Sequence, residues 1–227
     1  LVFCVIFSKG MPIDSASKVQ AQEAKESVPS ERTQTRAQNL TDPKQDDASK
    51  KSQHVIVLDA GHGGKDEGAV SEDGKLEEKE YNLAVVKELD RLLEQSGVKV
   101  YCTRTTDRTV SKKARVRLAN KRQADMLVSV HCNASDARKH SVRGIEVLYS
   151  KRDNGAGYTN KQLAAKLLKK TVAATGLPAR GVIRREDLYL MHHAKVPTVI
   201  VEVGYLTNPS DCLYMRQEKG IRQTAWG

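Results

Sequence analysis

From Val55 onward, short and continuous apolar runs alternate with longer stretches of helical period, and this alternation restricts the fold more than any other feature. VIVLDA (Val55 to Ala60), KVYCTR, MLVSVHC, GIEVLYS (Gly144 to Ser150), LYLM and TVIVEV read as strands. Runs that stay apolar at successive positions suit strands buried on both faces. Between them, Glu77 to Gln95 carries Leu83, Val86, Leu89 and Leu93 at helical spacing, with Gly97 as a stop signal. Ser111 to Gln123 reads as a basic helix, a further helix lies around Thr159 to Ala174, and Pro209 opens a final one. Strands separated by helices predict an α/β fold: a single domain with a central mostly parallel or mixed sheet flanked by helices. In such sheets ligands collect where strands end and loops begin.

The stretch before Val55 has a different character. Leu1 to Phe7 (LVFCVIF) is apolar, lacks an initiator Met and precedes the small residues Ser15, Ala16 and Ser17. Residues 1–17 are therefore expected to be the remnant of an export signal or a membrane anchor. Residues 18–53 are rich in Gln, Ser, Lys, Glu and Ala and almost devoid of large apolar side chains. They cannot bury enough surface to offset ordering entropy, which predicts a disordered polar linker. The folded domain is expected over 54–227, with a truncated C-terminus because the chain stops at Ala225-Trp226-Gly227 inside its last helix. Such an organisation implies export, to the extracellular space or the cell wall.

The net charge is +10, and residues 1–53 carry 8 Lys/Arg against 7 Asp/Glu, so about +9 falls on the folded part. A basic surface attracts polyanions in general. A nucleic-acid role is not expected, because no recognition motif is present and aromatic residues make up only 4% of the chain, too few for a stacking platform. The four cysteines, Cys4, Cys102, Cys132 and Cys212, contain no CxxC pair, which argues against a zinc ribbon. Cys102 and Cys132 lie in apolar runs and are expected to be buried thiols.

Residues able to hold a metal fall at the sheet edge. His62 directly follows the first strand, Glu78 lies in the first turn of a helix, and His131 ends MLVSVH. Two imidazoles, one carboxylate and an open fourth position make a catalytic zinc site, although lone histidines at strand ends are often structural. Glu202 lies in the otherwise apolar TVIVE, where a buried carboxylate calls for a metal, a water or a cation, and it reads as a general base. HExxH, a P-loop and a GxSxG elbow are all absent.

The segments LDAGHGGKDEGAV, EKEYNLA, LVSVHCNA, RGIEVLY and VPTVIVEVGYLTNPSD resemble, in order and spacing, the zinc-dependent N-acetylmuramoyl-L-alanine amidases of the Amidase_3 type, over roughly Val55 to the C-terminus. The resemblance implies one zinc ion (Zn2+) on His62, Glu78 and His131, with Glu202 as the catalytic glutamate. Glu77 and Glu80 rival Glu78, but the Glu-Lys-x-x-Asn frame selects Glu78. The implied substrate is peptidoglycan, cut between muramic acid and the L-alanine of the stem peptide. Asp59 and Asn133 are candidates for orienting a ligand, Asp59 equally for capping its loop, and Glu146 for touching substrate. Anionic wall polymers are possible partners, and a monomer is expected.

Ala60 stands where the family usually has proline. About eight residues separate Ser150 from Thr159, too few for the blocking helix of some relatives, which implies an uncovered site. His192 and His193 are expected at the cleft rim, His54 and His140 in solvent, and Arg180, Arg184 and Arg185 in a basic loop. The rival readings are a non-catalytic peptidoglycan-binding module and a zinc carboxypeptidase acting within the stem peptide.

Overall fold

The computed structural model describes residues 53–136, 140–152 and 156–227, which belong to one compact unit. The expected export remnant and all of the linker but its last residue lie outside the described residues. Six strands, β1 (Val55–Ala60), β2 (Lys99–Cys102), β3 (Met126–Asn133), β4 (Ile145–Tyr149), β5 (Ala179–Arg184) and β6 (Thr198–Tyr205), form one sheet in the order β2-β1-β3-β6-β4-β5. The first four in that order are mutually parallel. β4 runs antiparallel to β6, and β5 runs parallel to β4. The sheet is mixed and flanked by helices, as the alternation of runs predicts.

β1, β3 and β6 occupy the middle and are the most continuously apolar segments, because a central strand is covered on both faces. Val57 and Leu127 pack under the helix α2 (Lys112–Arg122) with Val116, Ala119 and Leu190. The helix α1 (Glu78–Gln95) packs on β1, β2 and β3, and α3 (Asn160–Thr175) on β4, β5 and β6. Fully burying side chains such as Val57 and Leu127 contributes roughly 1.5–3 kcal/mol each. Ser111 caps α2 through the Ala114 amide, and Thr159 with Gln162 forms a capping box at α3, so both starts are set locally.

Four expectations need correction. LYLM is not a strand: Tyr189–His193 forms a short helix, α4, whose Leu190 and Met191 are buried. A four-residue apolar run fits either state, and packing against α2 and the sheet decides here. The stretch around Arg180 and Arg184 is not a loop but the edge strand β5, half-exposed and therefore poor in apolar signal. Pro209 opens α5 (Pro209–Met215), capped by Asn208, and a further helix, α6 (Glu218–Trp226), follows it. Cys132 and Cys212 are buried free thiols, whereas Cys102 is only half-buried.

Candidate metal centre

At the carboxyl edge of β1 and β3, the ligand-capable atoms of His62, Glu78 and His131 all lie within 4.8 Å of one another. Glu78 is 3% exposed and occupies the centre. Its Oε1 accepts hydrogen bonds from the Cys132 amide at 3.0 Å and Asn82 Nδ2 at 3.3 Å, and lies 2.9 Å from His131 Nδ1 and 3.3 Å from His62 Nε2. Its Oε2 accepts from the Ala69 amide at 2.9 Å. Burial alone would raise this carboxyl, but the hydrogen bonds and charges of His131 and His62 overcome burial and hold it well below the usual range. Burial would likewise lower His62, yet Glu78 and then Asp66, 2.8 Å from Nδ1, raise its imidazole to about 8. A buried carboxylate between two imidazoles, with a proton drawn onto one of them, is a donor set that a divalent cation fits by taking that proton's place.

The backbone that carries these groups is strained and closely packed. His62 has φ 59°, a left-handed conformation rarely adopted by a residue other than glycine. A Cβ at Gly61 would collide with the His131 ring, so only glycine lets β1 turn under it. Two buried arginines clasp this turn. Arg115 donates to the Ala60 carbonyl at 2.6 Å and the His62 carbonyl at 2.8 Å. Arg104 donates to the carbonyls of Ala60 at 2.9 Å, Gly61 at 2.8 Å and Lys79 at 2.7 Å, joining the His62 turn to the start of α1. Asp59, fully buried, touches neither histidine: it accepts from Arg115, Thr103 and Ser129 and so fixes the clasp. Neither arginine stands out in the sequence, where buried and surface arginines look alike.

Beside the triad runs a row of acids. Sheet register places Glu202 of β6 between His131 of β3 and Glu146 of β4. Burial pushes the Glu202 carboxyl up to about 7, with His131 pulling against the shift and Glu78 and Glu146 adding to it. Glu146 accepts from Arg180 Nε at 2.6 Å and the Tyr205 hydroxyl at 3.0 Å. Asn133 Nδ2 donates to Glu146 at 3.3 Å rather than to a histidine.

A family model described as N-acetylmuramoyl-L-alanine amidase, Amidase_3, matches residues 56–227. The chain belongs to this amidase family. It is 36% identical over 163 residues to N-acetylmuramoyl-L-alanine amidase LytC of Bacillus subtilis, an alignment covering 72% of this chain and 32% of LytC. To the probable cell wall amidase LytH of Staphylococcus aureus it is 36% identical over 159 residues, which is 69% of this chain and 50% of LytH. The chain thus spans about a third to a half of these relatives' length. Among solved structures, the catalytic domain of the amidase CwlV from Bacillus (Paenibacillus) polymyxa var. colistinus superposes with TM-score 0.70 at 33% identity, covering 76% of this chain and 92% of that one. An N-acetylmuramoyl-L-alanine amidase from Clostridium difficile 630 gives TM-score 0.71 at 32% identity, with 76% and 91% covered.

In this Amidase_3 chain the remaining candidates lie apart from the triad. Glu77 is the N-cap residue of α1, and its side chain pairs with Lys79 at 3.0 Å. His192 and His193 end α4 and are exposed, His193 stacking on Tyr189. His54 pairs with Asp125 and His140 with Glu72, so neither is simply solvated. Arg180 belongs to the acid row, whereas Arg184 and Arg185 pair with Glu186 and Asp187.

Proposed function

We propose that the chain is a zinc-dependent hydrolase that opens the amide bond between N-acetylmuramic acid and the L-alanine of the stem peptide in peptidoglycan. The observation that carries this reading is the His62–Glu78–His131 donor set with Glu202 in register beside it, in a chain of this amidase family. His62, Glu78 and His131 would hold one zinc ion, which supplies the Lewis acidity that activates water and polarises an amide carbonyl at neutral pH. Glu202, in register beside His131, takes a proton from the attacking water and returns it to the departing L-alanine nitrogen. Arg115 and Arg104 keep the His62 turn from relaxing. Glu146, tied to Arg180 and Tyr205, presents a fixed polar wall to the substrate.

LytH is named a probable cell wall amidase, and the same location is proposed for this chain. Residues 54–227 are then the catalytic domain, 18–53 a spacer through the wall matrix, and 1–17 the export remnant or anchor, with the protein acting as a monomer. Among the described residues no helix is long and apolar enough to cross a membrane.

The test is digestion of purified peptidoglycan by the full chain with zinc and with chelator, followed by mass spectrometry of the products. Stem peptides with a free L-alanine amino terminus, absent with chelator and with Glu202→Gln, are the expected products. Cuts within the stem peptide would instead establish a carboxypeptidase, and binding without cleavage a binding module.

A further inference from the structure

A recess of about 600 Å³ lies between the end of β2, the loop after it and α2, and none of His62, Glu78, His131 or Glu202 lines it. Four cations, Arg108, Arg117, Lys121 and Arg122, converge there over an aliphatic floor that includes Val110 and Leu118, and no carboxylate is among its lining residues. The helix beside it contributes Arg117, Lys121 and Arg122 to the lining and has no acidic residue anywhere along its length.

Most other surface arginines sit against carboxylates, as Arg180 does with Glu146, Arg184 with Glu186 and Arg222 with Glu218. Arg108, Arg117 and Arg122 have no carboxylate partner among the described residues. Arg152, which donates to the His192 carbonyl, is the other exposed arginine without a carboxylate partner among the described residues, so three of the four such guanidinium groups are gathered in one concave place. From Ala114 to Arg122 the helix rises about 12 Å, so the recess is long enough to hold several spaced charges.

We propose that this recess binds a flexible phosphodiester polymer with aliphatic spacers, holding the protein on its matrix while the metal centre works on neighbouring strands. The proposal rests on the reading that the chain acts in the cell wall. Guanidinium forks match the paired oxygens of a phosphodiester, and one anion per repeat meets successive cations, whereas a single carboxylate would leave most of them unmatched. An aliphatic floor suits methylene spacers and offers no partner to the amide groups of an acidic polypeptide. Nucleic acid fits poorly, because no aromatic side chain lines the recess and the nearby Tyr101 ring already carries the Arg122 guanidinium at 4.0 Å on one face.

The experiment measures binding of the zinc-loaded full chain to a fluorescent glycerol-phosphate oligomer by anisotropy across a salt series. Four contacts predict a log–log salt slope of about −3. Arg117→Gln with Arg122→Gln should weaken binding about tenfold and flatten the slope by about 1.4. Lys166→Gln with Lys169→Gln, which removes equal charge from the exposed side of α3, should change it less than about twofold. Equal losses from the two pairs would overturn the proposal, leaving only net charge. So would the absence of binding, equal affinity for polyglutamate, or tighter binding of a thymidine oligonucleotide. Hydrolysis of a soluble muramyl peptide is followed in parallel and should be unchanged in Arg117→Gln/Arg122→Gln. Polymer binding in the expected pattern by a chain that opens no amide would sink the amidase reading without touching this one.

Discussion

Glu78 and Glu202 are the same side chain at neighbouring places, and their surroundings drive them in opposite directions. Two imidazoles hold Glu78 ionised, while burial beside Glu146 and Glu78 pushes Glu202 to about 7. Glu202→Gln should lower turnover about 10²- to 10⁴-fold with zinc content unchanged by elemental analysis. Glu78→Gln should instead lose the metal. In the metal-stripped protein Glu202 gives a second readout. Its folded value lies above the 4.5 of an ordinary glutamate, so its contribution to stability is complete below pH 4.5 and lost as pH rises through about 7. Glu202→Gln should therefore be the more stable protein at pH 8, by about 1 to 3 kcal/mol in urea melts, with the gap narrowing toward pH 5. A gap that widened on acidification would mean that this carboxyl is ionised throughout. His62, His131 and Glu202 were legible in the sequence because polar residues at the ends of apolar runs are conspicuous, whereas Glu78 was separated from Glu77 and Glu80 only by the family's Glu-Lys-x-x-Asn frame. The difference between Glu78 and Glu202 was not legible, since it depends on which groups the sheet register sets beside each.

The turn after β1 and the start of α1 act as one element because Arg104 grips the carbonyls of both. Arg115→Met would leave Asp59 buried without its cation, which should cost about 3 to 5 kcal/mol by chemical denaturation. Arg104→Met leaves no carboxylate stranded. Its expected signature is weaker zinc binding, by about 10- to 100-fold in a competitive chelator titration, in a protein that still folds. Unchanged affinity would reduce Arg104 to a packing residue. The strands β1, β3 and β6 and the helices α1, α2 and α3 could be read from periodicity and caps because each has one dominant environment. β5 could not, since an edge strand with Arg180, Gly181 and Arg184 keeps few apolar side chains. LYLM misled for the opposite reason: four apolar residues record burial but not backbone conformation. The arginine clasp was invisible because a buried arginine is recognised only by the carbonyls that surround it.

Across the whole molecule, the core and the metal centre are separate stores of stability. The apolar layers under α2 and α4 do not include the triad, so chelation should lower the melting temperature by several degrees while leaving the far-UV dichroism at room temperature unchanged. Loss of the spectrum on chelation would mean that the metal, rather than the sheet, organises the fold. The clasp also bears on portability. His62 keeps its left-handed backbone through arginines that arrive 42 and 53 residues later in the chain, on segments that bind no metal themselves. Transplanting the Gly-His-Gly-Gly turn into another sheet would bring the imidazole without the hands that hold it. The smallest inheritable unit of this centre is therefore the whole block from β1 to β3, which protein engineers would have to move intact.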